Sequence, residues 1–192
     1  MATGVEFLRV TDLHAFYGES HILHGVDFSV NKGEVVTLLG RNGAGRTTML
    51  KSILGLVGRR TGSIMINGRE AIGLPPHKIA HLGIGYCPEE RGIFSSLSCE
   101  ENLLLPPAVA STGLSVDEIS EGLAPVIVQA LGRTIRMLRE KGYTIVMVEQ
   151  NFRFAAPLAD RFYVMEHGRI VEAFSAGEMQ SKMGMLHEFL GI

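Results

Sequence analysis

Cysteine is nearly absent from this sequence. Cys87 and Cys99 are the only two, at no metal-ligand spacing. That excludes a disulfide framework and a zinc ribbon, and reads as a reduced cytosolic setting. An excess of one charge is also lacking: 18 Lys and Arg stand against 20 Asp and Glu, for a net charge of -2. Nothing here calls for nucleic acid as a partner. No apolar run approaches the ~20 residues of a membrane-spanning helix. Met1-Ala2-Thr3-Gly4-Val5-Glu6 has no basic-then-apolar signal pattern. Any link to a membrane is therefore expected to pass through a partner. What remains is ordinary: 192 residues, 46% hydrophobic and 20% charged, enough for one globular domain with a full core.

The front of the chain predicts strands. Phe7–Val10, Ala15–Gly18 and Val26–Val30 are short apolar or alternating runs punctuated by glycine and polar residues. Asn31-Lys32-Gly33 is a turn signal before a buried strand at 34–39. Further strands are predicted at 63–66, 83–87, 143–148, 161–165 and 169–172, with a tight turn at Asn67-Gly68. Helices are predicted after residue 48, from Pro75-Pro76 to His81, over Pro125–Glu140, over Phe152–Ala159 and over 178–190. Val128, Leu131, Ile135 and Leu138 carry the helical period of the third. Ser98 with Glu101 predicts a capped helix near Cys99. Residues 106–122 are broken by Pro106-Pro107, Gly113 and Gly122, and read as loop with one short helix near Val116–Ile119. Strands alternating with helices argue for an α/β fold.

One segment carries chemistry. Gly40-Arg41-Asn42-Gly43-Ala44-Gly45-Arg46-Thr47-Thr48 follows G-x-x-x-x-G-K-[ST], except that Arg46 stands in the lysine's place. The segment lies between an apolar strand and a helical pattern, the context that confirms a phosphate-binding loop. Glycines let consecutive N–H groups turn inward on phosphate oxygens, and the following helix adds its positive end. Thr47 is placed to offer its hydroxyl to Mg²⁺. Arginine keeps the charge but is forked, planar and bulkier than lysine. Weaker nucleotide binding and impaired transfer are expected from it. A P-loop kinase or GTPase would need an arginine-bearing lid or an N-K-x-D stretch, and the sequence has neither.

With that loop in place, the chain resembles the ATP-binding subunits of ABC transporters, most closely those of branched-chain amino acid importers. The resemblance covers residues 5–107 and 120–191. It implies a P-loop NTPase-like α/β fold: a mostly parallel sheet flanked by helices, an N-terminal antiparallel β part, and a truncated helical subdomain. One domain, 1–192, is expected, with the subdomain remnant at about 95–120. The resemblance makes Tyr17, in Leu13-His14-Ala15-Phe16-Tyr17-Gly18, the residue that stacks on adenine. Phe28–Val36 and Thr61–Gly68 match the family's approach to the loop and its turn strand. Tyr86-Cys87-Pro88-Glu89-Glu90-Arg91 stands where the family has its Q-loop, with Glu89 in place of glutamine as a Mg²⁺ ligand; the residues alone read as a solvated charged turn. Met147-Val148-Glu149-Gln150-Asn151 resembles the switch segment, with Gln150 where the general family has histidine. ATP and Mg²⁺ are the implied cofactors. Transmembrane permease subunits and a second ATP-binding subunit are the implied partners. The implied place is the cytoplasmic face of the inner membrane, as a peripheral protein.

Two of the family's motifs do not show in the sequence. No L-S-G-G-[QE] signature occurs, and no strand of four apolar residues ends in Asp-Glu. Asp117-Glu118 is the only Asp-Glu pair, but Thr112–Val116 before it does not read as a buried strand, so no catalytic role is expected for it. Ser120-Glu121-Gly122-Leu123-Ala124-Pro125 resembles the segment that follows the family's Asp-Glu strand. The expectation is an internal deletion that takes out a central strand, the signature helix and the catalytic carboxylate together. The function implied is an ATP-binding, energy-coupling importer subunit. The alternative is a module that binds nucleotide without hydrolysing it, or a truncated fragment.

Overall fold

The N-terminal half begins as a long hairpin. β1 (Glu6–Tyr17) and β2 (Ser20–Asn31) pair antiparallel across a turn at Gly18, φ 57°. The three short runs predicted there merge into these two strands, kept continuous through bulges such as the one at Asp12, φ 49°. The computed structural model describes residues 5–87, 113–117, 120 and 125–190. In chain order there follow β3 (Val35–Leu39), α1 (Arg46–Ile53), β4 (Arg59–Ile66), β5 (Arg69–Glu70), α2 (Pro76–Ala80), β6 (Ile84–Cys87) and β7 (Gly113–Asp117). Then come α3 (Pro125–Glu140), β8 (Thr144–Glu149), α4 (Phe152–Ala155), β9 (Arg161–Glu166), β10 (Arg169–Ser175) and α5 (Met179–Leu190).

Two sheets result. One has four strands in the order β2-β1-β4-β5, the other six in the order β10-β9-β3-β8-β7-β6. In the second, β9, β3, β8, β7 and β6 run parallel and β10 returns antiparallel along the edge. β3, β8 and β9 are largely apolar on both faces because both are covered. Val36, Leu38, Val146, Val148, Tyr163 and Met165 pack with the antiparallel sheet and α1. Val35, Leu39, Ile145, Met147, Phe162 and Val164 pack with α3 and α5. Leu131, Ile135 and Leu138 are the buried stripe of α3, as its period predicts.

The structure corrects the sequence reading at residues 113–117. No loop or helix starts there. Gly113–Asp117 is a strand, inserted between β6 and β8 with both ladders parallel. The sheet keeps its central strand, contrary to the deletion expected. The apolar signal failed because Gly113 and Ser115 interrupt it, yet both are buried. Gly113 is required by packing: a Cβ there would meet Phe7 Cε1 at 2.6 Å. The rest of the helical remnant expected at 95–120, the helix expected after Ser98, and Ile119 lie outside the described residues, apart from Ser120, which is a turn residue.

Candidate nucleotide site

Leu39, the last residue of β3, pairs with Glu149 of β8 and Val164 of β9. The loop at 40–45 therefore leaves the carboxyl edge of the sheet between two neighbours, where ligands bind in open α/β sheets. Gly40 is obligatory, since a Cβ there would lie 2.5 Å from Met165 O. Gly45 caps α1 at φ 104°, a conformation that favours glycine. The back of the loop is stapled down. Ala44 N donates to Arg41 O (3.0 Å), Gly168 N donates to Ala44 O (2.9 Å), and His24 N donates to Gly168 O (2.9 Å). The positive end of α1 points its first turn at the space the loop encloses, the place where a helix N-terminus favours phosphate.

Arg46 does not swing into solvent. It is 4% exposed, and its guanidinium donates to Asn42 Oδ1 at 3.3 Å across the loop. Thr47 and Thr48 follow in the first turn of α1. Thr47 Oγ1 donates to Asp117 Oδ1 at 3.5 Å, the long end of the range. Tyr86 OH donates to the other oxygen, Oδ2, at 3.3 Å. Asp117 is fully buried. This overturns the reading that no buried strand leads into the Asp-Glu pair: its aspartate ends β7, between β6 and β8 and within reach of the loop threonine. The available signal was the pair itself followed by Ser120-Glu121-Gly122. Thr47 and Asp117 are hard oxygen donors, the set that suits Mg²⁺. That fit makes them the pair that would hold the cation. Glu118, next in sequence, and Glu89 lie outside the described residues.

Gln150 leaves β8 beside the root of the loop and is exposed. The residue before it carries more structure. Glu149 is 1% exposed and accepts from Ser120 N (3.3 Å) and Ser120 Oγ (2.8 Å). Neither residue was singled out by the motif. Asn151 caps α4 by accepting from Phe154 N at 3.2 Å. Tyr17 ends β1 with 47% of its surface exposed. Its neighbour Phe16 stacks on His21, centroids 4.2 Å apart, under the Arg59 guanidinium at 4.3 Å. Three histidines gather beside this strand pair: His14 Nδ1 lies 3.0 Å from His21 Nε2, and the His21 and His24 rings are 4.1 Å apart.

Comparison with known proteins bears on this site. The ABC transporter family profile matches residues 23–186. The chain is 37% identical to the high-affinity branched-chain amino acid transport ATP-binding protein BraG of Pseudomonas aeruginosa, covering 85% of this chain and 91% of BraG. It is 30% identical to the probable branched-chain amino acid transport ATP-binding protein LivF of Archaeoglobus fulgidus, covering 90% of this chain and 93% of LivF. The BraG alignment spans 211 positions, more than the 192 residues of this chain, so BraG carries residues with no counterpart here. Among solved structures, an ATP-binding subunit of an ABC transporter superposes with a TM-score of 0.75 at 24% identity, covering 93% of this chain and 94% of that one. A nucleotide-free ATP-binding cassette gives 0.79 at 19% identity, covering 98% and 99%.

Proposed function

The chain belongs to the ABC transporter family, and from that premise we propose that it is the ATP-binding, energy-coupling subunit of a branched-chain amino acid importer. BraG and LivF, the relatives bearing that description, match across nearly their full lengths. ATP binds with its phosphates on Gly40, Asn42, Gly43, Ala44, Gly45, Arg46, Thr47 and Thr48, and its adenine on Tyr17. Mg²⁺, when bound, neutralises charge on the β- and γ-phosphates. Thr47 and Asp117 are its protein partners, with Glu89 a further candidate and Gln150 a hydrogen-bonding partner for the γ-phosphate. No helix among the described residues is long and apolar enough to cross a membrane. The subunit works at the cytoplasmic face of the inner membrane, docked on permease subunits and paired with a second ATP-binding subunit.

The observation that carries this reading is Thr47 opposite Asp117 at the mouth of the loop. P-loop enzymes hold Mg²⁺ with that pairing of hydroxyl and strand-end aspartate. The non-hydrolysing alternative rested on the loss of the loop lysine, the strand-end aspartate and the glutamate, and on the missing signature. It loses its aspartate ground with Asp117 at the end of β7, opposite Thr47.

Equilibrium titration of the purified chain with ATP, with and without Mg²⁺, tests the reading. Micromolar to millimolar binding, tighter with Mg²⁺ and abolished by Gly45→Val, is the expected result. No detectable binding under either condition refutes it. Co-purification with permease subunits tests the assembly.

A further inference from the structure

We propose that the Tyr86 hydroxyl is a positioning group for the Asp117 carboxylate, and thereby sets how much Mg²⁺ strengthens nucleotide binding. The proposal rests on the reading of Asp117 as a partner of the metal. A fully buried carboxylate must be hydrogen-bonded to stay charged. Two of the groups that hold Asp117 are hydroxyls: Thr47 Oγ1 donates to Oδ1 and Tyr86 OH donates to Oδ2. The two donors come from opposite sides of the sheet order. Thr47 belongs to α1, which follows β3, and Tyr86 to β6, beyond β7. With both oxygens held, the plane of the carboxylate is fixed relative to the loop.

The tyrosine ring is well placed for this. Tyr86 pairs in register with Ser115 on β7, two residues before Asp117. Tyr86 lines an open pocket of about 210 Å³ together with Leu54, Leu56, Pro76 and Ile84. The side chain is partly buried against the core cluster that includes Leu54, Ile79 and Ile84, and its hydroxyl reaches the carboxylate. Groups that hydrogen-bond a metal ligand without touching the metal commonly change metal affinity ~10–100-fold when removed. Tyr86→Phe deletes one oxygen and leaves the ring in place, so it isolates the hydroxyl.

The experiment uses the full chain and the ratio of ATP affinity in saturating Mg²⁺ to ATP affinity in EDTA. Tyr86→Phe is expected to lower that ratio by about 10-fold and to leave metal-free ATP binding and the melting temperature close to the parent. Asp117→Asn is the companion variant and is expected to bring the ratio near one. If Asp117→Asn keeps the parental ratio, the metal reading of Asp117 is wrong and this proposal goes with it. If Asp117→Asn loses the ratio and Tyr86→Phe keeps it, the tyrosine proposal alone is overturned. If Tyr86→Phe weakens binding equally with and without Mg²⁺, the hydroxyl is merely structural and the proposal is again overturned.

Discussion

Glu149 holds Ser120 with both carboxylate oxygens, Oε2 on the hydroxyl at 2.8 Å and Oε1 on the backbone N–H at 3.3 Å. The bonds are buried and join residues 29 apart in sequence. They tie the chain beyond β7 to the end of β8, one strand from the root of the phosphate loop. Removing the hydroxyl leaves a buried carboxylate oxygen short of a charge-assisted donor. Hydrogen bonds to charged groups contribute about 1.5–3 kcal/mol. Ser120→Ala is therefore expected to lower unfolding free energy by roughly that amount in urea titration. A loss within experimental error would show that the contact contributes nothing net.

Arg46 is the second prediction. Its guanidinium is engaged by Asn42 inside the loop, and its stem passes Gly40 so closely that an added Cβ there would be 3.3 Å from Cδ. The phosphates must compete with that contact and accept a forked cation where the loop suits a compact one. Arg46→Lys is expected to tighten ATP binding by about 10-fold, equivalent to about 1.4 kcal/mol. Calorimetric titration of both proteins decides it, and equal affinities would remove the arginine from the list of functional departures.

The contrast between the loop and β7 shows what this sequence makes legible. Gly40–Thr48 is a local motif whose spacing alone reports its geometry, so strand, loop and helix were all visible. The paired strands β3, β8 and β9 were visible because each is an apolar run covered on both faces. β7 hides because its burial comes from position in the sheet. Gly113 is small because Phe7 occupies the space, and Asp117 is polar and held by donors that include Thr47 and Tyr86. Both reasons are tertiary, and neither leaves a period in the sequence.

Gly113 gives a third prediction. A methyl group there must displace the Phe7 ring, itself 3% exposed. Overpacking of this kind typically costs about 1–3 kcal/mol. Gly113→Ala is expected to destabilise the chain by that order, and Phe7→Leu, by opening space, to recover part of the loss in the double variant. Strictly additive losses in a double-mutant cycle from denaturant unfolding would show that the two side chains do not compete.

The histidine cluster gives the last, a dependence on pH. Burial lowers His24 below its ordinary value of 6.5, and the charges of His21, Arg169 and His14 push it the same way. The unfolded chain takes up the proton near 6.5, whereas the folded chain resists until lower pH. Between those two values the unfolded state binds more protons, so stability rises with pH. Acidification from about 7.5 to about 5.5 should therefore lower the melting temperature. Three carboxylates with lowered values act outside this window. Glu70, Glu172 and Glu178 all lie below 4.5, so their contributions stay complete in this window and are lost only at lower pH. His24→Gln removes the titrating group and is expected to flatten the melting curve across the window. An unchanged acid-side drop in that variant would assign the dependence to other groups.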